Sequence, residues 1–474
     1  MPLVAGVDSS TQSCKVVILD LETGALVRHG RAPHPDSTEV HPDIWWSALS
    51  RAIEAAGGIH DVRGLAVAAQ QHGMICLDED GDVVRPAILW NDPRPARAAA
   101  DLVAEWGAGE TGRREWIRAV GLVPQPFHTV ARLRWLAEHE TTNAARTAAV
   151  CLPHDWLTSR LLGSRKIAEL ITDRSDASGT GYWSVLTGEY RRDLLGWALG
   201  HDAVVPSVLK PSEPAGLIPS GAVVGPGAGD NAATALGIGA GPGDVIISIG
   251  TSGVVSAVAD SPIADSSGEV IDAADATGRF LRLASTPIAA RVLDATANIL
   301  GVEHGKFSRL ALSAPPGSDG LVLLPFFAKA ANLAQLHASG VVHGLTEANA
   351  TPAHIARAAV EGILCSLAEN LDALMLHGAR PERLFLAGGA ARSEAVRQIA
   401  PTVFGQPVII LASEELGARG AARQAAWTLT ATPEAPAWQT AAQMLPGEAI
   451  PSIRSRFVDA RSRFLRWNAT DRFS

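Results

Sequence analysis

Cysteine is scarce in this 474-residue chain: its four copies, Cys14, Cys76, Cys151 and Cys365, are scattered, with no CxxC pair and no metal-ligand spacing. That excludes a disulfide-stapled scaffold and a structural zinc site, and it points to a reducing compartment, the cytoplasm. Long apolar runs are missing as well. The longest, Leu321 to Ala328, falls far short of the ~20 residues that span a bilayer. Residues 1 to 8 run straight into a strand pattern with no basic leader, so a soluble protein that keeps its N-terminus and has no membrane partner is expected. Acidic and basic residues are mixed along the length and sum to −9. Without a Lys/Arg cluster to match a row of phosphates, nucleic acid is excluded as a partner. No GxGxxG follows the first strand, which leads instead into Asp8-Ser9-Ser10-Thr11, and this sets aside a dinucleotide-binding oxidoreductase.

Apolar residues, by contrast, make up nearly half the chain, enough for two domains of roughly 200 to 250 residues, each with its own core. Leu3 to Val7 and Lys15 to Leu19 are β-rich runs around a polar turn and predict a hairpin. The same unit returns half a chain later as Val245 to Ile249, Gly250-Thr251-Ser252-Gly253 and Val254 to Val258, implying two related halves. Helical patterning prevails from Pro95 to Leu162. The Pro/Gly-rich stretch from Pro206 to Gly229 reads as a hinge and places the boundary at about residue 220, giving domains 1–220 and 221–474. A helix over Pro352 to His377, a strand over Arg383 to Ala387 and a helix over Arg392 to Val403 complete an α/β pattern.

Chemistry concentrates in the turns. Asp8 at a strand end, the donors Ser9 to Ser13, and Lys15 supply what a metal-bound polyphosphate needs: hydroxyls and backbone N–H groups for phosphate, a cation, and a carboxylate for Mg²⁺. An ordinary polar turn is the plain alternative. The second turn, Gly250 to Gly253, offers bare backbone and hydroxyls, and the pairing of the two turns favours phosphate binding. Leu384 to Ser393 brings a strand to Gly388-Gly389 ahead of a helix, a place for a nucleotide or simply a helix-start loop. Asp230, within Gly227 to Ala233, is either a helix N-cap or a general base for a substrate hydroxyl. Gln70 to Met74 and Trp90 to Arg94 each follow an apolar run, placing amide, imidazole, indole and carboxylate groups at strand ends where a polyol can be held.

In their order, these motifs resemble the FGGY carbohydrate kinase family, and within it the branch that phosphorylates D-xylulose. The match runs over nearly the whole chain. Asp8 to Lys15 is similar to the first phosphate loop, and Gln70 to Met74 with Trp90 to Asp92 to the pentulose site. Arg174 to Thr180 is similar to the SDA-GT segment, Gly227 to Ala233 to the catalytic GxGDNAA, Ile249 to Gly253 to the second phosphate loop, and Leu386 to Val396 to the adenosine segment.

The resemblance implies two actin/Hsp70-like (ribonuclease H-like) ATPase domains with an interdomain cleft, sugar mainly on the first and ATP mainly on the second, with Mg²⁺ as the metal. It implies Asp230 as general base, Asp8 as the second catalytic carboxylate and metal holder, and Gln71, His72, Trp90, Asn91, Asp92 and Asn231 as sugar contacts. Thr11, Gln12, Ser13, Lys15, Gly250, Thr251, Gly388, Gly389 and Ser393 are the implied nucleotide contacts. The implied partners are ATP and a small sugar, with a second copy of the chain as the candidate protein partner. Ribulose, gluconate or glycerol are the alternative acceptors, and a sugar sensor without catalysis is the alternative of another class. Two segments depart from the family pattern: the GERTPN stretch is absent after Leu324 to Phe327, where Ala328 to Asn332 follow, and Leu217 to Val224 replaces a helix of about a dozen residues.

Overall fold

Leu3–Ser9 is buried at every position, as a strand is when both faces of its sheet are covered. It pairs antiparallel with Ser13–Asp20, setting Asp8 opposite Lys15, and parallel with Val62–Ala69, setting Asp8 beside Ala68. Leu26–Pro33 extends the sheet beyond Ser13–Asp20. The expected hairpin is therefore present, longer by one or two residues at its ends. The computed structural model describes residues 1–263, 265, 267–287, 289–325, 340–412 and 415–470. The departure at Ala328 to Asn332 lies outside the described residues.

By its contacts the chain divides into two compact units rather than at a single cut. The first holds Met1–Gly241, Val258–Arg282 and Glu415–Thr440; the second holds Pro242–Ala257, Leu283–Glu414 and Ala441–Ser474. Within the first, the late helix Leu416–Thr430 packs directly on the opening strand, and glycine makes this possible. A Cβ on Gly6 would stand 1.9 Å from the Ala418 carbonyl oxygen, and one on Gly420 would stand 1.8 Å from that of Ala233, in the helix Asp230–Ile238. Backbone meets backbone at both points, an approach open only to residues without a side chain.

The stretch expected to be a hinge is instead part of this unit's sheet. Gly216–Leu217 pairs with Val223–Val224, which pairs with Val62–Ala69, and Ala228–Gly229 pairs with the end of the same strand. Val224 is fully buried. Small residues with glycine and proline look like a linker locally, yet they let short strands lie close against a buried partner, and Gly225 N donates to Leu65 O at 2.8 Å. The shortened run Leu217 to Val224 closes this small hairpin.

In the second unit Asp244–Ile249 lies between an antiparallel neighbour, Gly253–Ala259, and a parallel one, Arg383–Ala387. Val408–Leu411 and Ala442–Leu445 follow outward. The helix Pro352–Leu376 begins on the Thr351 hydroxyl, which accepts from His354 N, with proline at its first position. The helix Glu394–Phe404 begins on Ser393 in the same manner. All four cysteines are buried free thiols. Among the described residues no helix is long and apolar enough to cross a membrane.

Candidate active site

The first turn gathers opposite charges on buried backbone. Asp8 accepts from the Ser10 hydroxyl at 2.5 Å and faces Lys15 Nζ at 3.4 Å, while the same ammonium meets Glu415 at 2.8 Å. Burial works against the Lys15 charge, but Asp8 and Glu415 outweigh it and raise the ammonium pKa. Gly417 packs against the same carboxylate: a Cβ there would come within 3.1 Å of Oδ2. Thr11 Oγ1 accepts from the Trp90 indole at 3.1 Å. Ser13 Oγ accepts from Arg31 at 3.2 Å, and Gln12 is exposed at the tip.

Asp230 is the first residue of its helix and Gly229 takes the cap position, so the carboxylate is not an N-cap. Its Oδ1 accepts from Asn231 N at 2.8 Å and from Asn231 Nδ2 at 3.1 Å. Burial, then the charges of Asp8 and Asp176, push the carboxyl up to about 7. That is the range in which a carboxylate serves as a base near neutral pH.

Gln71 lies beside it. Asn231 Nδ2 donates to Gln71 Oε1 at 3.3 Å, and Gln71 Nε2 donates to Ser175 O at 3.2 Å. Next along the chain, His72 has a left-handed backbone, φ 69°. Its Nδ1 meets the Gly179 carbonyl at 3.0 Å, and since a carbonyl only accepts, that nitrogen carries the proton. Burial and then Arg132 push the ring down to about 4. A neutral ring with Nδ1 protonated leaves Nε2 as an acceptor for a ligand hydroxyl.

The second strand-end group divides. Asn91 Oδ1 is buried with no protein partner, an acceptor suited to a polyol. Asp92 instead turns inward: burial opposes its charge, but Arg94 bonds both carboxylate oxygens and holds the carboxyl below its ordinary range. The Trp90 indole N–H is directed at Thr11, joining the two turns.

The remaining predicted residues lie in the second unit. Across the turn Gly250-Thr251-Ser252-Gly253, Gly250 N donates to Ser252 O at 3.0 Å, and the Gly250 and Thr251 carbonyls accept from Ala290 N and Ala289 N, where a helix begins. Gly388 stands beside this turn at φ 87°. A Cβ there would be 2.7 Å from the Ile249 carbonyl carbon and oxygen, whereas one on Gly389 would meet nothing within 4 Å. Bare backbone with open space over Gly389 is a surface on which a planar base can lie. The Ser393 hydroxyl is within 2.9 Å of Ser308 Oγ.

Several supporting residues carry no sequence signal. Arg132 is fully buried and donates to the carbonyls of His72 (2.8 Å), Leu89 (2.7 Å) and Phe127. It thereby fixes both strand ends that bear the polar groups. Gln424 grips Gly227 twice, Oε1 accepting from its N–H at 2.9 Å and Nε2 donating to its carbonyl at 2.8 Å. Ser175 Oγ accepts from Gly229 N at 3.0 Å. The closest grouping of potential metal donors among the described residues is His154, Asp155 and Asp176, all fully buried. There His154 Nδ1 is already in direct contact with Asp176 Oδ2 at 2.5 Å, which makes the group an ion-pair cluster.

Comparison with known proteins matches residues 3–241 to the N-terminal domain of the FGGY family of carbohydrate kinases and residues 245–429 to its C-terminal domain. A xylulose kinase of Streptomyces coelicolor is 40% identical over 458 residues, covering 93% of this chain and 92% of the relative. That of Streptomyces rubiginosus is 40% identical over 460 residues, with the same coverage. The crystal structure of xylulose kinase from Bifidobacterium adolescentis superposes with a TM-score of 0.86 at 42% identity, covering 97% of this chain and 99% of that one.

Proposed function

The chain belongs to the FGGY family of carbohydrate kinases, and from that membership we propose that it phosphorylates D-xylulose at its terminal hydroxyl, giving D-xylulose 5-phosphate and ADP. Its domains have the α/β fold of actin/Hsp70-like ATPases, and it is a phosphotransferase with an alcohol acceptor. Four buried free thiols accord with a cytoplasmic location.

The observation that carries this reading is the Asp230 carboxyl, raised to about 7 and fixed by Asn231, which also bonds Gln71. In the ionised form Asp230 takes the proton of the sugar hydroxyl as that oxygen attacks the γ-phosphorus of ATP and the bond to the β-phosphate oxygen breaks. Gln71, the neutral His72 ring, Asn91 and Asn231 orient the sugar; the Trp90 indole braces the first turn, and Asp92 steadies the strand end through Arg94. Of the residues proposed for the nucleotide, Thr11, Gln12, Ser13 and Lys15 in the first unit offer hydroxyl, amide and cationic groups suited to phosphate, and Gly250 and Thr251 in the second offer backbone and hydroxyl donors of the same kind. Gly388 lets the turn at Ile249 pack close, Gly389 leaves room for the adenosine, and Ser393 closes the helix start beside it.

Kinases of this family use ATP with a divalent metal ion, and Mg²⁺ is the ion we propose. Asp8 fits it: a buried carboxylate at the strand end, whose charge helps raise Asp230 and against which Gly417 brings no side chain. Bound there with the triphosphate, the ion would neutralise charge on the transferring group. Positioning and charge stabilisation dominate phosphoryl transfer, so the two turns should matter as much as the base.

The test is ADP release with Mg²⁺·ATP against D-xylulose, L-xylulose, D-ribulose, gluconate and glycerol, run beside Asp230→Ala. Release is expected to be strongest with D-xylulose, and to fall by ~10²–10⁴-fold in the variant with nucleotide binding retained. A folded variant within ~10-fold of the parent would remove Asp230 from the role of base. Strongest release with another acceptor would reassign the substrate.

A further inference from the structure

His154, in the helix Pro153–Leu161, has no solvent exposure and so no open face for a ligand. Its ring instead lies against Gly227, where a Cβ would come within 2.3 Å of His154 Cδ2. Nδ1 is 2.5 Å from Asp176 Oδ2, and Nε2 is 3.2 Å from Asp155 Oδ1 and 3.9 Å from Asp173 Oδ1. Nδ1 bonds Asp176, while Nε2 lies near the two other carboxylates without a hydrogen bond to either, and a buried cation among three carboxylates is what allows negative charge to remain there.

We infer that His154 is a positioning residue for the phosphoryl transfer, fixing as an imidazolium both the Gly227–Asp230 segment and the turn that carries Asp176. The inference rests on the reading of Asp230 as the base.

The turn Arg174–Ser178 is what transmits the effect. The Asp173 side chain caps it, accepting from Ser175 N at 2.8 Å and Asp176 N at 3.0 Å, and the His154–Asp176 pair ties it to the helix below. From this short element come the carbonyl that holds Gln71 (Ser175 O) and the hydroxyl that holds Gly229 N (Ser175 Oγ). The carbonyl that fixes the His72 tautomer, Gly179 O, follows directly. Gly227 is held from another direction by Gln424, so the imidazole is one of two braces on the backbone that leads to Asp230. Burial alone would discharge the ring, yet Asp155, Asp176 and Asp173 together raise it to about 10. Nearby Cys151 is kept a neutral thiol, chiefly by burial. With the ring absent, Asp176 would lose the partner that Nδ1 supplies, and the turn must move to find another.

Two measurements decide the matter. Imidazole ¹⁵N NMR of the wild-type protein at pH 8.5 should show one ring protonated at both nitrogens, a signal lost in His154→Gln; no such ring at that pH overturns the inference. In steady-state kinetics with D-xylulose and ATP, His154→Gln should lower kcat by ~10–100-fold, the scale of a misplaced catalytic group, with the KM for ATP changed less than ~2-fold. His154→Lys, which restores a cation, should recover most of that loss. A folded His154→Gln enzyme with wild-type kcat, or a His154→Lys enzyme equally impaired, overturns the inference. Should the wild-type protein phosphorylate none of the panel sugars, the functional reading fails, and backbone amide shifts then take the place of the kinetics. Changes in His154→Gln that reach Gly227 to Asp230 uphold the positioning, and changes confined to residues 150–180 overturn it.

Discussion

Asn231 Nδ2 donates to Gln71 Oε1 over 3.3 Å, joining the residue that follows Asp230 to the end of the strand Val62–Ala69. Gln71 is held at its other end by Ser175 O, so its amide has one orientation, and Asn231 shares in setting it. Gln71→Leu and Asn231→Ala should each lower kcat/KM for the ketopentose by ~10–100-fold, equivalent to ~1–3 kcal/mol for a buried polar group left unpaired. The double variant should be little worse than the worse single one, because residues in one hydrogen-bond network couple. Fully additive losses would show that the contact does not act as a unit.

The Asp230 carboxyl, raised to about 7 by burial and by Asp8 and Asp176, gives a pH dependence of definite sign. A base must be ionised to work, so kcat/KM should fall below pH ~7 with a slope approaching one proton. A profile flat down to pH 5.5 would sink the assignment.

Stability should run the other way. Because the folded pKa lies above the unfolded one, Asp230 favours folding fully only below the unfolded value, and this contribution is lost as pH rises through about 7. Asp230→Asn should therefore be inactive yet more heat-stable than wild type at pH 8, by roughly 2–5 °C. The gain should vanish toward pH 3.5. Equal melting temperatures at pH 8 would mean that the carboxylate is relieved in the folded state.

Gly420 predicts a stability effect with no chemistry in it. A Cβ there would sit 1.8 Å from the Ala233 carbonyl oxygen and 2.9 Å from Gly237 N, both in the helix that begins with Asp230. Gly420→Ala should destabilise by ~1–3 kcal/mol or more, as overpacking against backbone does, seen as a lower denaturant midpoint. A neutral result would show that the two helices can separate at no cost.

The hairpin about Asp8, the strand Arg383–Ala387 and the helix Pro352–Leu376 are legible in the sequence because their signals are local: short β-rich apolar runs, a polar turn, a long helical pattern. Proximity of Gln71 to Asn231 is legible only through the order of motifs. Pro206 to Gly229 reads as a hinge because strands two residues long carry no periodicity; their partner, Val62–Ala69, is far away in the chain. The same distance hides the recruitment of Glu415–Thr440 into the first unit. Arg132 and Gln424 are invisible for a related reason. On a helix, a buried arginine or glutamine looks like an exposed one until its carbonyl partners, Leu89 and Gly227, are known.

Gln424 gives the last prediction. Its amide matches the Gly227 peptide groups donor to acceptor and acceptor to donor, and Gly227, at φ 89°, sets the course of the backbone toward Asp230. Gln424→Met keeps the side-chain length and removes both bonds, leaving a buried N–H and C=O unpaired at ~1–3 kcal/mol each before relaxation. The melting temperature should drop by several degrees. If the grip also orients Asp230, kcat per folded molecule should fall by ~10-fold or more, with the KM for ATP unchanged. Lower stability with an unaltered kcat would restrict Gln424 to holding the helix Leu416–Thr430 against the sheet. A variant with wild-type stability would mean that other groups readily satisfy Gly227.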